Sequence, residues 1–228
     1  RGPGTLSGYI RDSVLRESYS DVFVSRGQVN VRNSLEFEAT GNVVFAALGG
    51  TGYSLQAPLS VFSRNAAVSV YQDQAGGGGI AFDSHNFPID SNLAVGAQMY
   101  GFRVSAWDCA GLPELPINTA MACGTAGVHI VSGDAGRARC GRLTGFLSLM
   151  NRGAGFSSLV VGSLTVTNVA AIDNAVGFRL SALFVPGMGP TALIVDASTV
   201  VARAGEDNSD GPCSPGRPMS PTASIGVV

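Results

Sequence analysis

The chain alternates short apolar bursts with polar turns along almost its whole length. Val22-Phe-Val, Val68-Ser-Val and Leu193-Ile-Val are typical of these bursts. Runs this short, bounded by Gly, Asn, Asp and Ser, are characteristic of β-strands. No twelve-residue window carries apolar positions at helical spacing behind a capping signal. The pattern therefore predicts an all-β protein with very little helix.

The bursts recur with a period. Tripeptides of the form Asn, any residue, then Val or Ala begin at Asn42, Asn65, Asn92, Asn118 and Asn168. The intervals are 23, 27, 26 and 50 residues, the last being two periods with a degenerate coil between. A unit of about 25 residues with two or three short strands cannot bury a face alone and must stack on copies of itself. The period predicts a right-handed parallel β-helix. A β-sandwich also suits frequent turns, but it gives no reason for this constant spacing.

Two residue types that recur within the period, asparagine and glycine, predict how successive coils are held together. We expect the five asparagines to lie in one column and to pass amide hydrogen bonds from coil to coil. Nine or ten residues after four of them comes Gly followed by an apolar-x-apolar triplet, and we expect each glycine to supply a corner with positive φ. These glycines are Gly52, Gly101, Gly127 and Gly177.

Composition narrows the class of protein. Hydrophobic residues make up 45% of the 228 residues and charged residues 13%, which is too apolar for disorder. Aromatic residues are only 7%, which predicts a core of small stacked side chains instead of large aromatic ones. The net charge is −2 and no stretch accumulates Arg, so nucleic acid is excluded as an expected partner. No window has the ~18 apolar residues of a membrane span.

The expected organisation is one solenoid with an irregular end. We assign residues 1–202 to β-helix coils, 203–222 to a Pro/Gly-rich loop and 223–228 to the start of a further strand. The beginning, Arg1-Gly-Pro-Gly, leads us to expect a fragment of a much larger protein.

Candidate chemistry is sparse. Asp83, His85 and Asp90 form the densest group of ligand-type side chains, and period-two spacing places the first two on one side of an extended segment. Arg103 and Arg179 both follow Gly-Phe, so they occupy equivalent places in two coils and could line a groove for an anionic sugar. For both sets, a solvated loop or strand face is the favoured interpretation.

Two other polar features are expected to face solvent. His129, between Val128 and Ile130, is expected to point away from the core. Glu206, Asp207 and Asp210 form an acidic cluster among prolines and are expected to be a solvated loop. No cofactor or metal is expected, with Ca²⁺ as the alternative. The four cysteines lack CxxC pairs, so free thiols and three disulfide pairings all stay open.

Most of the chain resembles a known family. The segments that carry the resemblance include Arg139-Cys-Gly-Arg-Leu-Thr-Gly-Phe, Val166-Thr-Asn-Val-Ala-Ala-Ile-Asp-Asn, and Gly101-Phe-Arg-Val-Ser-Ala-Trp-Asp-Cys. Together with shorter matches from Leu6 to Ser198, they resemble the C-terminal β-helix region of the fibrocystin and fibrocystin-like (polycystic kidney and hepatic disease) proteins. The β-helix of cell-surface hyaluronidases is similar.

The resemblance carries expectations about function. It implies a non-enzymatic structural or interaction module in a large extracellular protein at the cell surface, associated with a ciliary or flagellar membrane. Its partners would be other domains of the same chain, other ciliary-surface proteins and, in some cases, polysaccharide. A hyaluronan-type polysaccharide depolymerase or carbohydrate-binding β-helix is the alternative. The resemblance also implies a disulfide between Cys109 and Cys140.

Overall fold

The computed structural model describes residues 7–17, 19, 21–25, 36–55, 61–71, 78–84, 89–105, 107–108, 117–131, 140–183, 192–201 and 226–227. Within them it has 24 strands and no helix. The strands form a parallel β-solenoid whose coils lie about 27 residues apart. The predicted all-β class and parallel β-helix are confirmed.

Successive coils contribute strands to three faces. One face is an eight-stranded sheet with one strand from each successive coil. In spatial order its strands are β2 (Val14–Arg16), β5 (Val43–Ala47), β8 (Ala66–Val70), β10 (Leu93–Val95), β13 (Asn118–Met121), β16 (Phe146–Leu149), β19 (Val169–Ile172) and β23 (Thr199–Val201).

The second face is a nine-stranded sheet, and it carries the candidate site. It consists of β3 (Phe23–Ser25), β6 (Thr51–Leu55), β9 (Ile80–Ser84), β11 (Tyr100–Ser105), β14 (Ala126–Val131), β17 (Ala154–Val161), β20 (Val176–Leu180) and β24 (Gly226–Val227), with β21 (Ala182–Leu183) pairing beside β17. The strand at 226–227 pairs in parallel with β20, within the segment where a further strand was expected.

The third face is built from two smaller sheets. The first contains β1 (Ser7–Arg11), β4 (Glu36–Thr40) and β7 (Val61–Ser63), and the second contains β12 (Trp107–Asp108), β15 (Cys140–Leu143), β18 (Ser163–Thr167) and β22 (Leu193–Asp196). The single antiparallel pairing in the described sheets joins β12 to β15.

Both corners of the eight-stranded sheet are made by residues with left-handed backbone. Before every strand except β13, one column contains a residue with positive φ, namely Asp12, Gly41, Arg64, Ser91, Gly145, Asn168 and Ala197. After the first seven strands another such column contains Glu17, Ala46, Ser69, Gly96, Ala122, Met150 and Asp173. A single residue with left-handed backbone turns the chain sharply, so the corner needs no additional residues. Most of the described coils are therefore bent at the same two places.

Four of the five predicted asparagines form the internal ladder. The Oδ1 of Asn65 accepts hydrogen bonds from the backbone N–H and the Nδ2 of Asn42, both at 3.0 Å. Asn92 and Asn118 repeat this arrangement in the next two coils. All four side chains are buried, so the ladder satisfies polar groups that would otherwise be costly inside the rod.

The prediction was wrong for Asn168. Phe146 is in register with Asn118, and Val169 is in register with Phe146, so Asn168 lies one residue ahead of the ladder column. Its φ of 51° makes it a left-handed corner residue, like Gly145 one coil earlier. Asparagine tolerates that backbone better than other non-glycine residues, which explains its presence without a ladder.

A second ladder, which the repeat analysis missed, stands at the opposite corner. Asn151 donates from its backbone N–H at 3.0 Å and from its Nδ2 at 2.7 Å to the Oδ1 of Asn174. The Oδ1 of Asn151 accepts in turn from the backbone N–H of Cys123 at 2.8 Å. The same inward column holds Ala97 and Val70 in earlier coils, so the polar ladder changes corner midway along the rod.

The core is more aromatic than the composition predicted. On the nine-stranded sheet, Tyr53, Phe82 and Phe102 stack with ring centroids 4.9 and 4.8 Å apart. Phe156 and Phe178 continue the column with centroids 5.1 Å apart. Few aromatic residues are present, but the periodic register concentrates them in one line. The prediction of a core without large aromatic side chains was therefore wrong.

The repeated glycines have a different role from the one predicted. Gly52, Gly101, Gly127, Gly155 and Gly177 all lack left-handed φ values. A Cβ on Gly127 would lie 2.1 Å from Ser148 Oγ and 2.7 Å from Asn151 Nδ2, and one on Gly101 would lie 2.8 Å from Ala120 Cβ. The glycines are needed because two sheets approach closely there, and not because the chain turns.

Candidate functional site

Outward positions of the nine-stranded sheet align into a row of polar side chains. Buried neighbours such as Phe102 and Val104 flank each position, so strand alternation points the side chain between them away from the core. The parallel register places one such residue from each coil side by side. This polar row consists of Ser54, Asp83, Arg103, His129, Ser157 and Arg179.

An ion pair occupies the second and third positions of the polar row, next to Ser54. Arg103 Nε donates to Asp83 Oδ1 at 2.9 Å, and Arg103 Nη2 donates to Asp83 Oδ2. Asp83 is only 8% exposed, and a carboxylate removed from water needs such a paired donor. The hydrogen bond to Asp83 is the main cause of the raised pKa of Arg103. This guanidinium is therefore occupied within the protein.

His129 lies next in the row, between Arg103 and Ser157. Its Nδ1 is 2.9 Å from Ser157 Oγ. Its ring stacks on Tyr100, with centroids 4.5 Å apart and planes within 12°. Burial lowers the pKa of His129, and the positive charge of Arg103 lowers it further. The imidazole is consequently neutral at pH 7 and held in one orientation. The expected outward direction of this histidine is confirmed.

Arg179 forms one end of the polar row. It is exposed, while its neighbours Phe178 and Leu180 are buried. Its row partner on one side is Ser157, and on the other side the sheet continues at Gly226, which has no side chain. The guanidinium is thus bordered in the row by a hydroxyl and by a glycine. The Arg179 guanidinium is therefore accessible to a ligand in solution.

The structure brings together only some of the residues selected from sequence. Asp83, Arg103 and Arg179 lie in one row. The equivalence of the two Gly-Phe-Arg segments predicted this for the two arginines, but not for Asp83. Asp90 instead bridges to Ser63 next to the three-stranded sheet, and it does not join the row. His85 and the acidic cluster Glu206, Asp207 and Asp210 lie outside the described residues.

The sequence contained the signal for the two residues that were not assigned to the site. His129 follows Gly127-Val, and Ser157 follows Gly155-Phe, at the same distance from glycine as Arg103 from Gly101. The repeat predicts the fold, and the residue two positions after each repeated glycine predicts most members of the row. Aligning that position would have produced the row from Arg103 to Arg179.

In the described part of the chain, no group of three or more His, Cys, Asp or Glu side chains could hold a metal ion. Over the same residues, no helix has the length and apolar character needed to cross a bilayer.

Two of the four cysteines, Cys123 and Cys140, lie among the described residues. Cys123 is a buried free thiol, and burial raises its pKa to about 12, so it is not a reactive thiolate at neutral pH. Cys140 begins β15, in which Gly141 pairs with Asp108 of β12. Cys109 lies outside the described residues, so its disulfide with Cys140 stays a prediction.

Parallel coils stacked into a continuous rod, with a polar row on one face, define the chain as a β-solenoid. Comparison of the chain with protein-family models, with curated proteins and with solved structures returned no match.

Proposed function

We propose that this chain is a non-enzymatic structural and interaction module of a large extracellular protein of the fibrocystin-like kind. The observation that carries the proposal is the continuous parallel stack from β2 to β23, with eight strands in one sheet. At ~4.8 Å per strand the stack extends over about 34 Å. A rod of fixed length with interior hydrogen-bond ladders suits a part that spaces neighbouring domains and presents one face to partners.

The proposed location is the outer side of the cell surface, at a ciliary or flagellar membrane. It is supported by the sequence resemblance, and its expected partners are other domains of the same chain and other ciliary-surface proteins. An antibody raised against the 228-residue segment tests it on cells of the source organism. Staining of intact, non-permeabilised cells at the cilium is expected. Staining that needs permeabilisation would overturn the proposed location.

The second candidate, a polysaccharide depolymerase, is favoured by one observation. His129 and Ser157 are within hydrogen-bond distance, the arrangement that activates a serine nucleophile. Glycoside hydrolysis more often uses two carboxyl groups, whereas in the row Asp83 is paired with Arg103. We therefore rank binding above cleavage.

Product sizing separates these two functions. The purified segment is incubated with hyaluronan and other acidic polysaccharides, with and without Ca²⁺, and the lengths of the polysaccharide chains are then measured. Unchanged lengths are expected under the non-enzymatic proposal. Shortening that is lost in Ser157→Ala would replace it with the depolymerase.

A further inference from the structure

The two arginines of the polar row differ in how their charge is used. Arg103 is neutralised by Asp83 through two hydrogen bonds. Arg179 is exposed, and its neighbours along the row are Ser157 and Gly226. Summed along the row, one carboxylate stands against two guanidinium groups, in a chain whose net charge is −2. The excess positive charge is located at the Arg179 end.

Uncharged hydrogen-bonding side chains occupy the next two positions of the row after Arg179. Ser157 offers a hydroxyl, and His129 offers a neutral imidazole whose orientation is fixed by the stack on Tyr100. Adjacent row positions are ~4.8 Å apart, comparable with the length of a sugar ring. The row thus offers one polar side chain for each unit of an extended chain of sugars.

An apolar border runs beside these polar groups. Leu159, two residues after Ser157 on β17 and therefore on the same face, is 55% exposed. Val131 stands in register with Leu159 on the neighbouring strand β14. Sugar rings present hydroxyl groups at their edges and C–H groups on their faces, so a polar line next to an apolar line matches both parts of the ring.

We infer that His129, Ser157 and Arg179 form a binding strip for a carboxylate-bearing polysaccharide. The polysaccharide lies along the axis of the rod, and one of its carboxylates contacts the Arg179 guanidinium, which can bind it through two hydrogen bonds. This inference rests on the proposed function as an interaction module, and it gives that module a ligand class.

The sheet geometry favours a polysaccharide over an acidic peptide. An extended peptide is usually captured by main-chain hydrogen bonds to an open strand edge. The strip lies on β14, β17 and β20, and each of these strands is paired on both sides. Its recognition groups are therefore side chains, which suit hydroxyls and carboxylates better than a peptide backbone.

Calorimetric titration of the full 228-residue chain tests the inference. The probes are polygalacturonate and hyaluronan oligosaccharides, with neutral dextran and a poly-glutamate peptide as comparisons. Arg179→Gln is expected to weaken uronate binding about 10-fold, the effect of losing one charge-assisted contact. Arg179→Lys should retain part of the affinity. Arg152→Gln is the matched control, because Arg152 is also exposed but lies outside the row, and its affinity should not change.

Several results would overturn the inference. Equal losses in Arg152→Gln and Arg179→Gln would indicate unspecific charge attraction. Poly-glutamate binding as tight as uronate binding would favour an acidic peptide, and equal dextran binding would remove the role of the carboxylate. If no uronate polymer binds, the ligand class is wrong, whereas the proposed surface module is judged separately by the antibody staining.

Discussion

At the scale of single residues, His129 links the polar row to pH. Burial lowers its pKa in the folded protein, so the unfolded chain takes up a proton first as pH falls. The free energy of unfolding should therefore be fully maintained above the ordinary value of about 6.5. It should decrease as pH falls from there through the lowered folded pKa.

Urea denaturation at pH 7.5 and at successively lower pH values measures this effect. His129→Gln should flatten the pH dependence, because glutamine keeps a polar contact with Ser157 and does not titrate. An NMR titration that placed the pKa of His129 above 6.5 would contradict the assigned environment.

The Asp83–Arg103 pair is expected to contribute to stability. Asp83→Asn leaves the Arg103 guanidinium without its charged acceptor, and we expect a loss of about 2 kcal/mol in the free energy of unfolding. The Arg103 side chain is 35% exposed, so water offsets part of the larger penalty of a buried pair.

The exposed Arg11–Glu38 pair supplies the control. Glu38→Gln should change stability little, because water screens both partners. In a double-mutant cycle, the variant carrying both Asp83→Asn and Arg103→Gln should lose less free energy of unfolding than the sum of the two single losses, because either change alone already breaks the pair. Equal effects of Asp83→Asn and Glu38→Gln would show that the row pair is no more than a surface contact.

At the scale of structural elements, the two roles of asparagine are separable. Asn92 accepts hydrogen bonds from Asn65 and donates to Asn118 inside the rod. Asn92→Ala leaves buried polar groups unpaired and should cost about 3 kcal/mol. Asn168→Ala only forces alanine into a left-handed corner and should cost about 1 kcal/mol. Asn168→Gly should cost nothing.

Chemical denaturation of the three variants compares them directly. A loss in Asn168→Ala as large as that in Asn92→Ala would mean that Asn168 belongs to a ladder after all.

The glycines of the nine-stranded sheet give a second test at this scale. Gly127→Ala places a Cβ 2.1 Å from Ser148 Oγ and 3.0 Å from the carbonyl oxygen of Gly155. Something must move, and we expect a loss of about 3 kcal/mol, at the upper end of overpacking effects.

Gly96→Ala is the matched control for this substitution. Gly96 has a φ of 66°, but its nearest non-neighbouring atom would lie 3.8 Å from a new Cβ. Only the cost of about 1 kcal/mol for a left-handed alanine is expected there. If Gly96→Ala were the more damaging change, the close approach of the two sheets would not be the reason for glycine at position 127.

At the scale of the whole molecule, the last described coil leaves core-facing residues uncovered. Val195 and Val200 are 45% and 47% exposed, although their partners one coil earlier, Val166 and Ala171, are fully buried. Among the described strands, β22 and β23 are the outermost of their sheets. Open parallel edges with apolar side chains recruit further strands.

We therefore expect the purified chain to self-associate. Light scattering at increasing concentration should show oligomers, and Val195→Asn with Val200→Asn should reduce them. Leu159→Asn, on the lateral face, should not. A monodisperse monomer at high concentration with cooperative thermal unfolding would contradict this prediction.

The repeat in the sequence was enough to determine the class of fold. The recurrence of Asn42, Asn65, Asn92 and Asn118 every 23 to 27 residues implies stacking of like on like, because a side chain that recurs once per coil meets its own copy. The same logic connects Arg103 with Arg179, which both follow Gly-Phe. These features depend only on residue order along the chain, so the sequence alone determined them.

The tertiary structure decided the exact register and the partners of each side chain. Coil length varies between 23 and 29 residues, as the steps from Val43 to Ala66 and from Val14 to Val43 illustrate. One residue of difference moves a side chain from the interior to a corner, which separates Asn168 from the ladder. Contacts such as Asp83 with Arg103, 20 residues apart, exist only once the loop between them has set which residues lie side by side.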